Sequence, residues 1–385
     1  MNVADRMKNV PGSGTLEILS LANELEEEGK DIIHLEVGQP DFDTPQHIKD
    51  KANEALNRGE TGYTSSTGIP ELREAISQYL QDKEIERESE EIIATPGAKF
   101  SLFAAMTVAL DPEDEIIVPS PCWTYEGMIR IINAEPVFVE APENNQFKLD
   151  PEKVKEKITQ DTKMLLLNYP NNPTGTLLDD ETLNTMADLS VDHDFWILTD
   201  EVYERLVYGK TPKSVASFSK CKDRVIYING FSKTYAMTGW RLGYTAAPEK
   251  IIAEMVKIQQ NSTTCPTAFV QFGGLAALEG PQNCVQDMVD EYKERRNLIV
   301  DGLNSIEGIS CVKPEGAFYV FPNIEKLGIK SMKFCKQLLK DAGVAATPGS
   351  AFGPTGEGNI RLSYANSKER IKQALERIKN MVSSL

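Results

Sequence analysis

Met164-Leu165-Leu166-Leu167-Asn168-Tyr169-Pro170-Asn171-Asn172-Pro173-Thr174-Gly175 is an apolar run stopped by a turn with two prolines; a helical pattern over 180–190 then leads to Phe195-Trp196-Ile197-Leu198-Thr199-Asp200. Unbroken apolar residues, without alternation, suit a strand covered on both faces, as the strands of parallel sheets are. Strand, helix and strand in that order form a βαβ unit, the repeat of an α/β fold. Outward from this unit the alternation continues, with strands predicted at 92–94, 115–118, 136–139, 225–228 and 241–247 and helices at 100–110, 125–132 and 151–157. The expected architecture is therefore α/β, a mostly parallel sheet covered by helices.

After Pro248 the texture changes. Two long helical regions, 250–278 and 283–303, follow, the second with Glu291, Glu294, Arg295 and Arg296 expected on a solvated face. The remainder reads as α+β, with strands at 310–312, 317–321 and 360–364 and helices at 331–342 and 367–382. Before the sheet come a polar arm, a helix over 16–30, a short strand at 32–35 and helices at 45–57 and 71–81. These shifts divide the chain into a large domain, 41–285, and a smaller α+β domain made of 286–385 together with 1–40 and its N-terminal arm.

The 385 residues, 41% of them hydrophobic, have enough chain for a large core and no low-complexity tract that would suggest disorder. A net charge of −17 argues against nucleic acid or an anionic membrane as partner. No apolar run is long enough to span a bilayer and no signal peptide is evident. Six scattered cysteines without C-x-x-C, and only His34, His47 and His193, suggest neither a metal site nor a disulfide framework. A soluble cytoplasmic protein with reduced thiols is expected.

Several residues stand out for chemistry. Lys233 lies in Asn229-Gly230-Phe231-Ser232-Lys233-Thr234-Tyr235, a nearly uncharged neighbourhood, with Arg241 eight residues on. It is either a buried lysine paired to a carboxylate, a loop lysine, or an amine activated by desolvation. Asp200 ends a buried strand and would be costly there unless a cation meets it. The turn Thr95-Pro96-Gly97-Ala98-Lys99 joins a strand to a helix start, an anion site by its free N–H groups and dipole. Lys99 in that first turn makes more sense with a phosphate present. Trp123 lies just past a strand's carboxyl end, where it either stacks on a flat ligand or simply packs. Tyr63 is a phosphate donor or part of an ordinary connector, Gly38 a close approach to ligand or a plain turn, and Arg361 an ion-paired sheet residue or a carboxylate clamp.

As a set, G-Q-P-D-F at 38–42, G-Y-T-S-S-T-G at 62–68, N-N-P-T-G at 171–175, D-E-V-Y at 200–203, S-K-T-Y-A-M-T-G-W-R-L-G at 232–243 and R-L-S-Y at 361–364 resemble the class I and II aminotransferases. These are fold-type I enzymes dependent on pyridoxal 5′-phosphate, and the resemblance, nearly end to end, is to their prokaryotic aspartate and aromatic branch. It implies a seven-stranded sheet in the cofactor-binding domain. Lys233 would hold the cofactor as a Schiff base and shuttle the proton between substrate and cofactor. Asp200 would pair with the pyridinium nitrogen, Asn172 and Tyr203 would donate to the phenolic oxygen, and Trp123 would stack on the ring.

By the same resemblance the phosphate would meet Gly97, Ala98, Lys99, Ser232 and Arg241, with Tyr63 arriving from the partner of a homodimer. Arg361, helped by the backbone of Gly38, would grip the substrate α-carboxylate, with Trp123 and Asn172 beside it. Many relatives carry a hydroxyl residue three positions before the lysine, where this chain has Gly230. The implied reaction moves an amine from an L-amino acid, aspartate favoured and aromatic residues as second choice, to a 2-oxo acid such as 2-oxoglutarate. Rivals are a β-lyase acting on C–S bonds, a lyase like aminocyclopropane-carboxylate synthase, and a regulator that binds the cofactor without chemistry.

Overall fold

The computed structural model describes residues 3–12, 14–210 and 213–385. Its strands are β1 (Ile33–His34), β2 (Ile92–Thr95), β3 (Glu115–Ser120), β4 (Glu135–Glu140), β5 (Thr162–Asn168), β6 (Trp196–Asp200), β7 (Val225–Gly230), β8 (Gly243–Ala246), β9 (Tyr319–Val320), β10 (Val344–Ala345), β11 (Thr347–Pro348) and β12 (Ile360–Ser363). Seven of them form one sheet in the order β2-β8-β7-β6-β5-β3-β4. Only β8 runs against its neighbours, so the sheet is mostly parallel, as its apolar strands predict.

The period of two shows why those strands are apolar throughout. Leu165, Leu167 and Ile197 enter one buried cluster, whereas Met164, Leu166 and Leu198 enter another. Successive side chains point to opposite faces, and helices cover both. In register, Asn168 pairs with Asp200 and Asp200 with Ile228, so the carboxyl ends of three central strands meet at one edge. A second, three-stranded antiparallel sheet, β11-β12-β9, lies elsewhere in the chain, and β1 pairs in parallel with β10, joining Ile33 to Val344.

Four expectations need correction. The predicted helix 250–278 is two helices, Glu249–Gln260 and Ala268–Glu279. Thr264 takes a left-handed φ of 68° and Pro266 lacks the N–H a continuing helix would use, so the chain turns there. The strand predicted over 241–247 begins only at Gly243, because Arg241 is itself left-handed at φ 55°. At 310–312 only Ser310 makes a β-bridge, to Asn323.

Arg295 and Arg296 are buried rather than solvated. Arg295 forms ion pairs with Asp41 at 2.8 Å and Glu291 at 2.9 Å, and Arg296 donates to the Pro314 carbonyl at 3.1 Å while covering the Tyr208 ring. Helical charge periodicity cannot distinguish a face turned to water from one packed on a polar loop.

Candidate active site

Asp200, Asn168 and Gly230 are the last residues of three adjacent parallel strands, which is where open α/β sheets present ligands. Asp200 is 4% exposed, and burial pushes its carboxyl up to about 6, against the hydrogen bonds from Tyr125 and Val202. Its oxygens meet Tyr125 Oη at 2.8 Å and the Val202 N–H at 3.4 Å, neither of which is a cation. Asn168 braces the corner: its side-chain amide donates to the Asp200 carbonyl at 3.0 Å, and its Oδ1 accepts the Asn172 N–H at 3.0 Å.

Lys233 sits on the short helix Phe231–Thr234 directly after β7, so one turn of backbone carries its amine back over the strand ends. Nζ donates to the Gly38 carbonyl at 2.6 Å and lies 5.9 Å from the centre of the Tyr203 ring. Burial lowers its pKa to about 8, reinforced by Arg361 and Arg241 and opposed by Asp200. A lysine so placed has a substantial neutral, nucleophilic fraction near neutral pH.

On one side of this amine lies an anion cradle. Gly97 at φ 93° caps the helix Ala98–Ala109, and a Cβ at Gly97 would fall 2.7 Å from an Arg241 amino nitrogen, so the guanidinium lies across the turn. Lys99 Nζ lies 4.7 Å from the centre of the Trp123 ring, and burial together with Arg241 lowers its pKa. Among the described residues Arg241 donates only to the Thr238 carbonyl, at 2.8 Å. Two cations and a helix start without a carboxylate among the described residues form a site for a phosphate-like anion.

The departure at Gly230 has a packing reason. A Cβ there would come 3.2 Å from the Leu242 carbonyl, and one at its strand partner Gly243 would come 2.5 Å from the Ala98 nitrogen. The small residues let the lysine strand and the anion turn approach closely, which leaves little space for a hydroxyl-bearing side chain at 230. Ser232 lies within the lysine helix itself.

The other cation acting on this amine is Arg361, on β12 and 4% exposed. It donates to Asn172 Oδ1 at 3.1 Å, to Thr347 Oγ1 at 3.2 Å and to the Glu36 carbonyl, while its buried Nε has no partner among the described residues. A guanidinium only donates, so Asn172 faces it with its oxygen and turns its amide donor elsewhere. Tyr203 is buried beside them, its hydroxyl 2.8 Å from that of Tyr319.

The fold thus brings together Lys233, Asp200, Tyr203, Asn172, Arg361, Gly38, Ser232, Trp123, Arg241 and the turn 97–99. Tyr63 is the exception: 89% exposed, it projects from a loop pinned by Gln271 contacts to Thr64 and Ile69. Sequence reasoning assigned no role to Tyr125, Asn168 or Tyr319. Tyr125 was detectable from its place two residues after Trp123, because β3 and β6 both flank β5 and their carboxyl ends are near. The Tyr319 hydroxyl gave no such signal. Among the described residues no cluster of metal-ligating side chains is present, and no helix is long and apolar enough to cross a membrane.

The anion cradle, the buried unpaired carboxylate and the poised amine fit a flat, phosphorylated, carbonyl-bearing ligand with a basic ring nitrogen. Comparison with known proteins agrees. Residues 30–378 match the family model described as aminotransferase class I and II. The chain is 42% identical to an aspartate aminotransferase of Bacillus subtilis, over 99% of each chain. It is 40% identical to an aromatic-amino-acid aminotransferase of Thermococcus litoralis, over 99% of this chain and 98% of that one. A solved structure of aspartate aminotransferase from Thermus thermophilus with maleate superposes with a TM-score of 0.95 at 38% identity, covering 99% of this chain and 100% of the other.

Proposed function

Because the chain belongs to the class I and II aminotransferases, we propose that it moves an amino group between an L-amino acid, aspartate first and aromatic residues second, and a 2-oxo acid such as 2-oxoglutarate, using pyridoxal 5′-phosphate. The observation that carries the cofactor reading is Asp200, a buried carboxylate with no ion-pair partner among the described residues and only a longer-range attraction to Lys233, whose burial is tolerable if a protonated ring nitrogen meets it. When bound, the cofactor supplies a carbonyl and an electron sink for charge developing at the substrate α-carbon.

The residues divide the work. Lys233 would hold the cofactor carbonyl through its amine and, once the substrate amine has displaced it, would carry a proton at Nζ, which rests on the Gly38 carbonyl in this structure. Gly97, Ala98, Lys99, Ser232 and Arg241 would hold the phosphate, Trp123 would cover one ring face, and the Asn172 amide and Tyr203 hydroxyl would donate to the ring oxygen. Arg361 takes the substrate α-carboxylate, and its unpartnered Nε supports that role.

In this reading, 41–285 is the cofactor-binding domain, and 1–40 with 286–385 the small domain, a division supported by the pairing of β1 with β10. The protein is a cytoplasmic homodimer in which Tyr63 reaches the partner's phosphate; its exposure, and six unpaired cysteines, support this.

The test is a panel of amino donors against 2-oxoglutarate, oxaloacetate and pyruvate. Aspartate with 2-oxoglutarate should give the highest kcat/KM; ammonia and pyruvate released without an acceptor would replace the reading with a lyase. Arg361→Ala should raise KM for amino acid and oxo acid together, lowering kcat/KM roughly 10²-fold or more, the range for truncating one partner of a buried charge pair. A change for one substrate alone would show that Arg361 does not bind the shared carboxylate.

A further inference from the structure

Tyr319 lies on β9 opposite Ser363 of β12, which places it diagonally across from Arg361 on the same face of the small sheet. That register explains its ring, whose centre is 4.5 Å from the Arg361 guanidinium carbon, with Phe352 at 5.0 Å as a second aromatic neighbour. Its hydroxyl points the other way along the site, to the Tyr203 hydroxyl at 2.8 Å, and this is its one hydrogen-bond partner among the described residues. Gly38 makes room for it, since a Cβ there would lie 2.3 Å from the Tyr319 oxygen. One side chain therefore touches both the carboxylate clamp and the group that faces the cofactor ring.

We infer that Tyr319 is a positioning residue: its hydroxyl donates to Tyr203, orienting and strengthening Tyr203 as a donor to the cofactor's ring oxygen, while its ring fixes the plane of Arg361. The inference rests on the cofactor reading above. A hydroxyl has one proton and two lone pairs, so once Tyr203 gives its proton to the ring oxygen, the only bond left between the two tyrosines is donation from Tyr319. Burial raises the pKa of both phenols, so both stay protonated and able to donate. Chained donors polarise one another in a dry site, and a second donor behind Tyr203 stabilises negative charge on the ring oxygen more than Tyr203 alone. The aromatic face holds the guanidinium by its quadrupole and leaves the edge, with Nε, free for a carboxylate.

The experiment is a pH titration of the visible absorbance of the protein loaded with pyridoxal phosphate, for wild type, Tyr319→Phe, Tyr203→Phe and the double variant. Tyr319→Phe keeps the ring, so KM should change less than about twofold, while the absorbance midpoint should move to higher pH by roughly half a unit. In the Tyr203→Phe background the same substitution should add no shift, because its effect passes through Tyr203. Gly38→Ala, which crowds the same hydroxyl, should shift the midpoint in the same direction and keeps the test available if Tyr319→Phe does not fold. A wild-type band whose midpoint is unmoved in Tyr319→Phe, or an equal shift without Tyr203, overturns this inference alone. Absence of any visible band in the wild type overturns the cofactor reading itself.

Discussion

Lys233→Ala is expected to lose turnover by roughly 10⁴-fold or more, the scale of losing both a covalent amine and a positioned proton carrier. The absorbance band that depends on the lysine–cofactor linkage should disappear with it, leaving that of the free aldehyde. Both losses follow from where the amine sits. Among the described residues Nζ has one hydrogen-bond partner, the Gly38 carbonyl, and burial beside Arg361 and Arg241 holds its pKa at about 8. Lys99, the lysine of the anion turn, lies over the Trp123 ring instead. The fold should survive, since the variant gives up a single hydrogen bond and relieves a cation of partial burial. Lys233→Arg, which keeps the charge but is not a nucleophile, should be equally inactive. Turnover retained by either variant would refute the assignment.

Asp200→Asn should lower kcat roughly 10³-fold, the range for removing a preorganised charge that stabilises a transition state, while leaving substrate KM within a few-fold. It should also stabilise the cofactor-free protein, and the sign follows from linkage. The folded pKa, about 6, is raised above the ordinary 3.8, so the folded state holds the proton more tightly than the unfolded chain. As pH rises from about 4 through 6, the folded state must ionise a buried carboxylate, a penalty of about 3 kcal/mol once complete. Asn keeps the shape without the charge. Thermal unfolding of the cofactor-free variant should therefore occur several degrees above wild type at pH 8, with the gap closing as pH falls toward 4. Equal midpoints at pH 8 would mean that Asp200 already has a cationic partner in the free protein.

Much of the site was legible before the fold was known, because its parts carry strong local signals. An apolar strand ending in an acid, a glycine turn opening a helix, and a lysine among small neutral residues each have a short-range physical reason. What the sequence could not distinguish was environment. Arg295 and Arg296 read as surface charges because helical periodicity reports a face and not what packs on it, yet Asp41, 254 positions from Arg295, and Pro314, just past the end of the same helix, bury them. The helix predicted over 250–278 ran through its break because a lone proline competes with strong flanking periodicity.

The four consecutive apolar residues from Met164 to Leu167, with the turn and helix that follow and the repeated alternation around them, pointed to the α/β class, since a run without polar alternation bounded by turn residues suits a strand buried on two faces. The motifs likewise determined which residues converge. Only the tertiary structure decided how they are held: Tyr125 on Asp200, Asn168 between Asp200 and Asn172, and Tyr319 between Tyr203 and Arg361. The reason is range. A strand's character follows from its own side chains, whereas a hydrogen bond between hydroxyls 116 positions apart depends on the register of two sheets, which no local pattern encodes.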